Sequence, residues 1–478
     1  MIATRLQLPW ESGAPIYLQL YRRYREAIAA GQLQPGDRVP SVRSLASELN
    51  LARGTVETAY QMLVSEGYLL ARGAAGTVVS PRLNHLPEPL QTPPKPSLLA
   101  LPSQPPSAEV LPFQLGFPAL DAFPRKTWAR LAGRHLRHLD TRAMGYPDPA
   151  GHEPLRRAIA TYLGVSRGIV CDQEQVFITA GYRGALDLLC RTLLHSRDLG
   201  WFEEPGYLLA RQFLQRVGMR LQAVPVDEEG LQVSEGRRRA EQARFAVVTP
   251  SHQSPMGMAL SLPRRLELLE WAAEQQAWII EDDYDSEFRY QGRPLPALKS
   301  LDRNGRVLYT GTFSKVLFPG LRLAYLVVPA AQVGLFRDAL DYLPGPGALL
   351  PQATAAEFME QGHFARHLRR MRGLYAERRG YLTTALEQQL GEHIQVQAQA
   401  GGIQVLANLH AALDDRSLAA AAQADGLALA ALNDWRLQAP GQGGLLLGFS
   451  NFATAEAAQL AVQRLARLIA DQSVAGIS

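Results

Sequence analysis

The apolar positions of the first 80 residues predict three helices followed by two short strands. Apolar residues recur at helical spacing in the first of these segments: Ile16, Leu20, Tyr24 and Ile28. Ser41 is the expected N-cap of a second helix, and a turn at Asn50 leads into a third helix over residues 55–66. Two strands, residues 68–71 and 77–80, then flank a glycine-containing hairpin tip. The pattern therefore predicts a small unit with its own fold.

A proline-rich segment follows this unit. Ten prolines fall between Pro81 and Pro112. Because proline fixes the backbone angle φ and donates no hydrogen bond, such a segment favours extended polyproline II over helix or sheet. We therefore predict that residues 81–112 form a semi-rigid linker between an N-terminal domain, residues 1–80, and a second domain, residues 113–478.

Beyond the linker, helical segments alternate with short apolar strands up to about residue 330. The clearest predicted strands are residues 175–179, 245–249, 278–281 and 307–309. This alternation is typical of an α/β fold with a parallel sheet covered by helices. Residues 350–478 mix amphipathic helices with a few strands and predict a smaller α+β lobe.

Composition excludes several protein classes. The chain has 478 residues, of which 47% are hydrophobic, enough for two or more domains. A net charge of +4 permits an acidic partner without requiring one. Two cysteines, Cys171 and Cys190, are too few for a disulfide framework. No apolar run reaches the roughly 18–20 residues that a membrane helix needs, so we expect a cytoplasmic protein without a membrane partner.

Lysine is rare in this chain, which has four lysines and 45 arginines. One lysine lies in the segment Gly-Thr-Phe-Ser-Lys-Val-Leu-Phe-Pro-Gly-Leu-Arg, residues 311–322. An arginine guanidinium stays protonated, whereas a lysine amine can form a Schiff base. A single lysine is usually a solvated surface charge. The hydroxyl residues before Lys315 and the Pro-Gly turn and Arg322 after it favour a chemical role instead.

The order helix, short helix, turn, helix and hairpin is that of a winged helix-turn-helix. The segments Pro15-Ile16-Tyr17, residues 31–43 and Arg53-Gly54-Thr55-Val56 resemble the GntR family of bacterial regulators. The resemblance covers most of residues 13–80 and implies binding to double-stranded DNA. The positions where that family meets DNA correspond to Arg43, Arg53, Thr55, Arg72, Gly73 and Gly76.

These assignments agree with the physical chemistry of DNA recognition. The N-terminus of the third helix can enter the major groove, arginine can bind guanine or phosphate, and glycines let a wing approach the backbone. The alternative is that the arginines are solvated charges of a protein-binding module. Residues 1–80 hold eight arginines and six acidic residues, so we expect DNA affinity to depend on two modules in a dimer.

The segment around Lys315 resembles the pyridoxal-phosphate lysine motif of fold-type I (class I and II) aminotransferases. The resemblance extends from about Gly116 to the C-terminus and implies a PLP-dependent transferase fold with a large and a small lobe. It implies pyridoxal 5′-phosphate bound covalently to Lys315. It also implies that Asp282 pairs with the pyridine nitrogen, that Tyr284 binds the O3′ oxygen, and that Tyr207 stacks on the ring.

A phosphate site is predicted where residues 179–185 run from a strand through glycine into a helix, because free amides at a helix N-terminus bind anions. By the resemblance, the contacts are Gly181, Tyr182, Arg183, Thr312 and Arg322. Tyr146 resembles a tyrosine that reaches the phosphate of the neighbouring subunit, which implies a homodimer. The alternatives are a core role for Tyr207 and local packing for Tyr146.

Two positions depart from the aminotransferase pattern. Ser254 lies where many aminotransferases have the asparagine near O3′. Leu446 lies where they usually have an arginine that binds the substrate α-carboxylate. Arg436, in the preceding loop, is the candidate to bind the carboxylate of an effector in its place. These departures disfavour turnover of amino acids but not cofactor binding.

Joined in this order, the two halves resemble the MocR/GabR-type subfamily of GntR regulators. The resemblance implies a dimeric transcription regulator that senses an amino compound or pyridoxal phosphate itself. One alternative is a working aminotransferase with a DNA-binding appendage. A second is a GntR repressor whose large domain has lost the cofactor. The arginine-rich helix over residues 364–379 is interpreted as a solvated basic face, with DNA-backbone contact as the alternative.

Overall fold

A computed structural model describes residues 10, 13–81, 109–141, 143–290, 292, 295–343, 345–397, 399–410, 413–438 and 440–475. Contacts divide the chain into two units, Met1–Gln104 and Pro105–Ser478. Most of the predicted linker, residues 82–108, lies outside the described residues. Each unit is therefore described by itself.

The N-terminal unit contains three helices and a three-stranded antiparallel sheet of order β1-β3-β2. Its elements are α1 (Ile16–Ala29), β1 (Arg38–Val39), α2 (Val42–Glu48), α3 (Arg53–Ser65), β2 (Leu69–Ala71) and β3 (Thr77–Val79). Ser41 caps α2 as predicted, since its hydroxyl accepts a hydrogen bond from the Ser44 amide at 3.1 Å. Asn50 has the positive φ of 51° that its predicted turn requires. Strand β1 was not predicted because two residues show no period.

The core of this unit lies between α1 and α3 and is closed by the sheet. Tyr24 and Tyr60 are buried there, with ring centroids 5.5 Å apart and hydroxyl oxygens 2.9 Å apart. The Tyr60 hydroxyl donates to the carbonyl of Pro40 at 2.9 Å and can accept from Tyr24, so both hydroxyls have partners among Leu20, Leu45 and Leu63. The packed core positions the exposed start of α3.

The second unit is built on an eight-stranded sheet of order β4-β11-β10-β9-β8-β5-β6-β7. Its strands are β4 (Val176–Thr179), β5 (Leu199–Glu204), β6 (Arg220–Asp227), β7 (Gly230–Leu231), β8 (Phe245–Val248), β9 (Trp278–Asp283), β10 (Val307–Thr312) and β11 (Ala324–Val327). The helices that precede or connect these strands are α4 (Arg125–Arg137), α5 (Glu153–Arg167), α6 (Tyr182–Leu193), α7 (Leu208–Arg216), α8 (Val233–Ala240) and α9 (Leu262–Glu274).

The four strands predicted from the sequence, here β4, β8, β9 and β10, all run in the same direction, as expected for a parallel sheet. Two strands that were not predicted are antiparallel to their neighbours. Strand β11 is antiparallel to both β10 and β4, and β7 is antiparallel to β6. Only residues 313–323 join β10 to β11. A parallel crossover needs a dozen or more residues, so this connection returns antiparallel. Lys315 lies in this connection.

The small lobe has a four-stranded antiparallel sheet of order β12-β13-β15-β14. Its elements, with the helices before it, are α10 (Val333–Leu340), α11 (Leu349–Glu360), α12 (His363–Leu390), β12 (Ile394–Val396), β13 (Gln404–Leu409), α13 (Asp415–Ala424), β14 (Ala430–Ala431), β15 (Gly444–Gly448) and α14 (Ala455–Ala475). The basic face predicted for α12 is wrong at Arg378, which is buried and ion-paired with Asp121 at 2.5 Å. Arg366, Arg369 and Arg370 are exposed as predicted.

Candidate functional site

The predicted cofactor residues come together at one edge of the large sheet. Thr179, Asp282 and Thr312 lie at or next to the carboxyl ends of β4, β9 and β10. Strand β11 aligns Ala324 with both Thr179 and Thr312, and Asp282 is level with Thr310 on β10. Ligands of open α/β sheets bind outside the carboxyl ends of the strands, so this edge is a candidate binding site.

An anion cradle is formed where the N-terminus of α6 meets Arg322. Gly181 is the N-cap of α6 and has a φ of 82°. The Nη2 of Arg322 donates to the carbonyl of Ala180 at 3.2 Å, and a Cβ at residue 181 would lie 2.9 Å from that nitrogen. Glycine is therefore required for the guanidinium to lie against the helix end. The free helical amides and the guanidinium both suit a phosphate.

Lys315 is held at this edge by a residue that the sequence did not indicate. Its Nζ donates to the carbonyl of Gly116 at 2.8 Å. Gly116 has a φ of 82°, and a Cβ there would lie 2.6 Å from Nζ. Burial lowers the pKa of Lys315 to about 8, although Asp285 and Asp282 oppose this effect. More of the amine is therefore neutral near pH 7 than for an ordinary lysine.

Asp282 is a buried carboxyl that forms no ion pair within the part of the chain that the structure describes. Burial raises the pKa of Asp282 to about 8, the nearby Tyr182 hydroxyl opposes this shift, and the neighbouring acids Asp283, Glu203 and Asp285 add to it. The Tyr182 hydroxyl is itself buried, and within the described ranges it makes no hydrogen bond of standard geometry. A protonated ring nitrogen would supply the missing positive charge. The observed donor set therefore fits pyridoxal phosphate.

Tyr207 and Ser254 belong to two loops that a buried carboxylate holds together. Glu203 accepts hydrogen bonds from the Thr249 hydroxyl at 2.6 Å and from the Gln253 side chain at 3.0 Å. The Gln253 amide also donates to the carbonyl of Pro205 at 3.0 Å. The loops after β5 and β8 are thus tied to each other behind the site.

The aromatic side chains at the site are packed rather than free. Tyr207 lies between Tyr182 and Trp435, with ring centroids 6.1 Å and 5.7 Å away. The Tyr284 hydroxyl lies beside Ser254 and 3.0 Å from Nδ1 of His252. His252 was not predicted, because nothing in its spacing distinguishes it from its neighbours.

Two of the predicted phosphate contacts are exposed on the surface of this chain. Arg183, in the first turn of α6, is exposed. Tyr146 is exposed over its whole surface, with a relative exposure of 106%. The alternative of local packing for Tyr146 is therefore wrong.

The position that usually binds a substrate carboxylate is apolar. Leu446 is fully buried on β15, in a cluster with Leu406, Leu432 and Trp435. Arg436 is partly buried, and its Nε has no hydrogen-bond partner among the described residues. Its backbone carbonyl accepts from Arg211.

The Arg436 loop is also anchored to the loop that carries Tyr207. The Leu437 amide donates to Glu204 at 2.7 Å, and the Gly206 amide donates to the Trp435 carbonyl at 3.2 Å. The fold therefore brings this loop to the Tyr207 side of the site. Sequence spacing could not show this proximity.

The predicted DNA-contacting residues lie on the surface of the N-terminal unit. Arg43 on α2, Arg53 on α3 and Arg72 before the hairpin tip are exposed, and Thr55 is partly exposed. The tip contains Gly73, and Gly76 lies against the guanidinium of Arg38. Arg38, which was not singled out, therefore adds a cation to the wing.

Comparison with known proteins confirms the two-part organisation. The family described as "Aminotransferase class I and II" matches residues 114–440, and "Bacterial regulatory proteins, gntR family" matches residues 16–79. The probable rhizopine catabolism regulatory protein MocR of Rhizobium meliloti is 38% identical over 455 residues, covering 93% of this chain and 92% of MocR. The chain belongs to the MocR-type transcriptional regulators. It is a helix-turn-helix regulator with an aminotransferase-fold domain.

Two further similarities support this assignment. The pyridoxine biosynthesis transcriptional regulator PdxR of Corynebacterium glutamicum is 36% identical over 374 residues, 77% of this chain and 78% of PdxR. An archaeal alanine:glyoxylate aminotransferase superposes with a TM-score of 0.70 at 26% identity, covering 76% of this chain and 92% of that enzyme. Membership of the aminotransferase class I and II family implies dependence on pyridoxal phosphate. Within the described residues, no helix is long and apolar enough to cross a membrane.

Proposed function

We propose that this MocR-type regulator binds double-stranded DNA as a homodimer and holds pyridoxal 5′-phosphate on Lys315. Its effector is a small molecule, either an amino compound or pyridoxal phosphate itself. We assign DNA binding to residues 1–80, the linker to residues 81–112 and sensing to residues 113–478. Because its target is the bacterial chromosome, we place it in the cytoplasm.

The observation that carries the proposal is the set of groups around Lys315. When bound, pyridoxal phosphate supplies an aldehyde carbon that reacts with amines and a ring that withdraws electrons. The Lys315 amine would hold the aldehyde carbon, and Asp282 would keep a proton on the ring nitrogen. The cradle of Gly181, Thr312 and Arg322 would bind the phosphate, with Tyr182 and Arg183 in the adjoining first helical turn.

The remaining residues orient the ring and complete the site. Tyr207 would stack on the ring, while Tyr284 and Ser254 would bind its O3′ oxygen. The fully exposed Tyr146 would reach the phosphate of the partner subunit. A site that needs two subunits also fits a DNA reader that uses two winged helices.

The effector side favours sensing over turnover. Leu446 leaves no cation at the position where aminotransferases bind the α-carboxylate, and Arg436 is the candidate that would bind an effector carboxylate. An effector that binds one arrangement of the domain better than another would shift the equilibrium between them. That shift would reach the DNA-binding domains through the linker.

The cofactor proposal is tested by absorbance and by reduction. We expect the purified protein with pyridoxal phosphate to show a visible absorbance band, and borohydride to leave a stable adduct on Lys315. Lys315→Ala should lose both, while Lys126→Ala, an exposed lysine on α4, should keep both. A colourless protein without an adduct would show that the proposal is wrong.

The DNA proposal is tested by titration with the promoter fragment of the regulated genes. We expect Arg53→Ala to weaken binding by about 1–3 kcal/mol, and by less at high salt if the contact is to phosphate. Arg125→Ala, an exposed arginine on α4, is the matched control. Transaminase turnover at about 1–1000 per second would instead favour an enzyme.

A further inference from the structure

His252 contacts both Tyr284 and a buried carboxylate through one ring nitrogen. Its Nδ1 lies 3.0 Å from the Tyr284 hydroxyl and 3.0 Å from Oδ1 of Asp285. His252 and Asp285 are 8% and 1% exposed. A Cβ at Gly402 would lie 2.3 Å from Cε1 of the imidazole. The ring is therefore tightly enclosed, and both of its partners are fixed beside it.

The position of the imidazole proton follows from these two contacts. A carboxylate accepts hydrogen bonds and does not donate them, so it holds a neighbouring histidine with a proton on the nitrogen that faces it. For His252 and Asp285 that nitrogen is Nδ1. The same N–H also faces the Tyr284 oxygen. Because that oxygen can accept the hydrogen bond, the tyrosine keeps its own proton for another partner.

The Tyr284 hydroxyl is suited to donate a hydrogen bond. Burial, together with the negative charge of Asp285, raises the pKa of Tyr284 well above its ordinary value of 10.0. The phenol therefore stays protonated. With Nδ1–H of His252 directed at its oxygen, the hydroxyl proton is left to point elsewhere.

The other nitrogen of the ring, Nε2, belongs to a residue that lines a small chamber of about 10 Å³. Five side-chain atoms of this lining have no hydrogen-bond partner within the described part of the chain: Nε of Arg167, Nε2 of His252, Oδ2 of Asp285, Oγ of Ser286 and Nε of Arg289. The two arginine atoms are donors, and Oδ2 is an acceptor. With the proton on Nδ1, Nε2 is a second acceptor.

This mixed lining matches one water molecule in both size and polarity. A water molecule donates two hydrogen bonds and accepts two, and about 10 Å³ is the space that one water needs. It would donate to His252 and Asp285 and accept from the two arginines, with the Ser286 hydroxyl able to do either. Such a water would satisfy the far side of the imidazole and of the carboxylate.

We propose that His252 is a positioning residue for the cofactor site. Asp285 fixes its proton on Nδ1, and this N–H directs the Tyr284 hydroxyl proton towards the O3′ oxygen of pyridoxal phosphate. The water in the chamber completes the hydrogen bonds of Nε2 and Oδ2. The effect on O3′ rests on the proposed function, whereas the tautomer of His252 does not.

Nitrogen NMR of the full chain with isotope-labelled histidine tests the tautomer without cofactor. The His252 signals are those absent from His252→Asn. We expect Nδ1 to carry a proton in wild type and to lose this preference in Asp285→Asn, where an amide replaces the carboxylate. A wild-type ring with its proton on Nε2 alone would overturn the proposal.

Two substitutions by amides separate the roles of the ring nitrogens. The amide nitrogen of asparagine takes roughly the place of Nδ1, and that of glutamine the place of Nε2. We expect His252→Gln to weaken pyridoxal-phosphate binding about tenfold and His252→Asn to stay within about threefold of wild type. His195→Gln, at a histidine whose side chain is 92% exposed, is the matched control.

A cofactor analogue without the O3′ oxygen, 3-deoxypyridoxal phosphate, distinguishes positioning from a general structural role. Wild type and His252→Gln should bind the analogue equally, since no contact to O3′ remains to be lost. Equal weakening with cofactor and analogue, or no weakening with either, would overturn the proposal. If His252→Gln does not fold, Asp285→Asn replaces it in both titrations. A wild type that binds no pyridoxal phosphate would contradict the proposed function instead, and the NMR test would still decide the tautomer.

Discussion

The two sides of the candidate site differ in polarity. On the large-sheet side, Asp282, Lys315 and Arg322 bring one acid and two bases to a single edge. On the small-lobe side, Leu446 is fully buried against Leu406 and Trp435. The first side retains groups suited to a cofactor, whereas the second is apolar at position 446, where aminotransferases usually hold the substrate carboxylate. The groups suited to cofactor binding and the position that aminotransferases need for turnover therefore lie on different sides of the site.

The difference in polarity between the two sides follows from the free-energy cost of burying a charge. Asp282 and Lys315 have shifted pKa values because burial disfavours their charged forms. Such groups are retained only where a partner or ligand compensates. A leucine at position 446 avoids this cost.

The largest expected effect is on the small-lobe side. Leu446→Ala should destabilise the second unit by about 2–5 kcal/mol, because it leaves a cavity in a packed cluster. Urea unfolding followed by tryptophan fluorescence measures this change. Leu460→Ala, 63% exposed on α14, should stay within about 0.5 kcal/mol. A neutral Leu446→Ala would mean that this side is open to a substrate, and the contrast would fail.

On the large-sheet side, Asp282→Asn should weaken pyridoxal-phosphate binding by about 2–3 kcal/mol, roughly 30- to 150-fold. The substitution removes the carboxylate that would pair with the ring nitrogen. Fluorescence titration of cofactor-free protein gives the dissociation constant. Asp341→Asn, at an exposed acid, serves as the control. Equal affinities for wild type and Asp282→Asn would show that Asp282 does not pair with the cofactor.

The same substitution should have the opposite effect on cofactor-free protein, and this effect should depend on pH. Burial raises the pKa of Asp282 from 3.8 to about 8, so folding favours the protonated form. The resulting stabilisation is complete below pH 3.8 and is lost as the pH rises through 8. Asp282→Asn should therefore exceed wild type in melting temperature by a margin that grows from pH 5 to 8. A pH-independent margin would contradict the shifted pKa.

The smallest expected effect is at the anion cradle. Gly181→Ala should weaken pyridoxal-phosphate binding about tenfold, because a Cβ would displace the Arg322 guanidinium and strain a φ of 82°. Pyridoxal without phosphate should bind wild type and variant alike. If both vitamers lose affinity equally, the residue supports the fold rather than the phosphate.

Part of this site could be predicted because its residues are close together in the sequence. Lys315 and Arg322 lie in one connection, and Asp282 lies at the end of an apolar strand, so short segments were enough to predict that they share a site. Their roles in that site stay predictions. Strand β11 and its antiparallel direction were not predicted, since strand periodicity is the same in both directions. Gly116 was missed because 199 residues separate it from Lys315.

The comparisons confirm the GntR and aminotransferase families that the sequence motifs resemble, and the role of Lys315 stays a prediction. Short-range patterns along the chain are sufficient to predict a winged helix followed by an α/β domain. They do so because helix caps, turns and strand periods involve neighbouring residues. Long-range packing alone brings His252 to Tyr284, buries Arg378 and joins the Arg436 loop to Glu204. Contacts between distant segments depend on how whole elements fit together, and no local period encodes that fit.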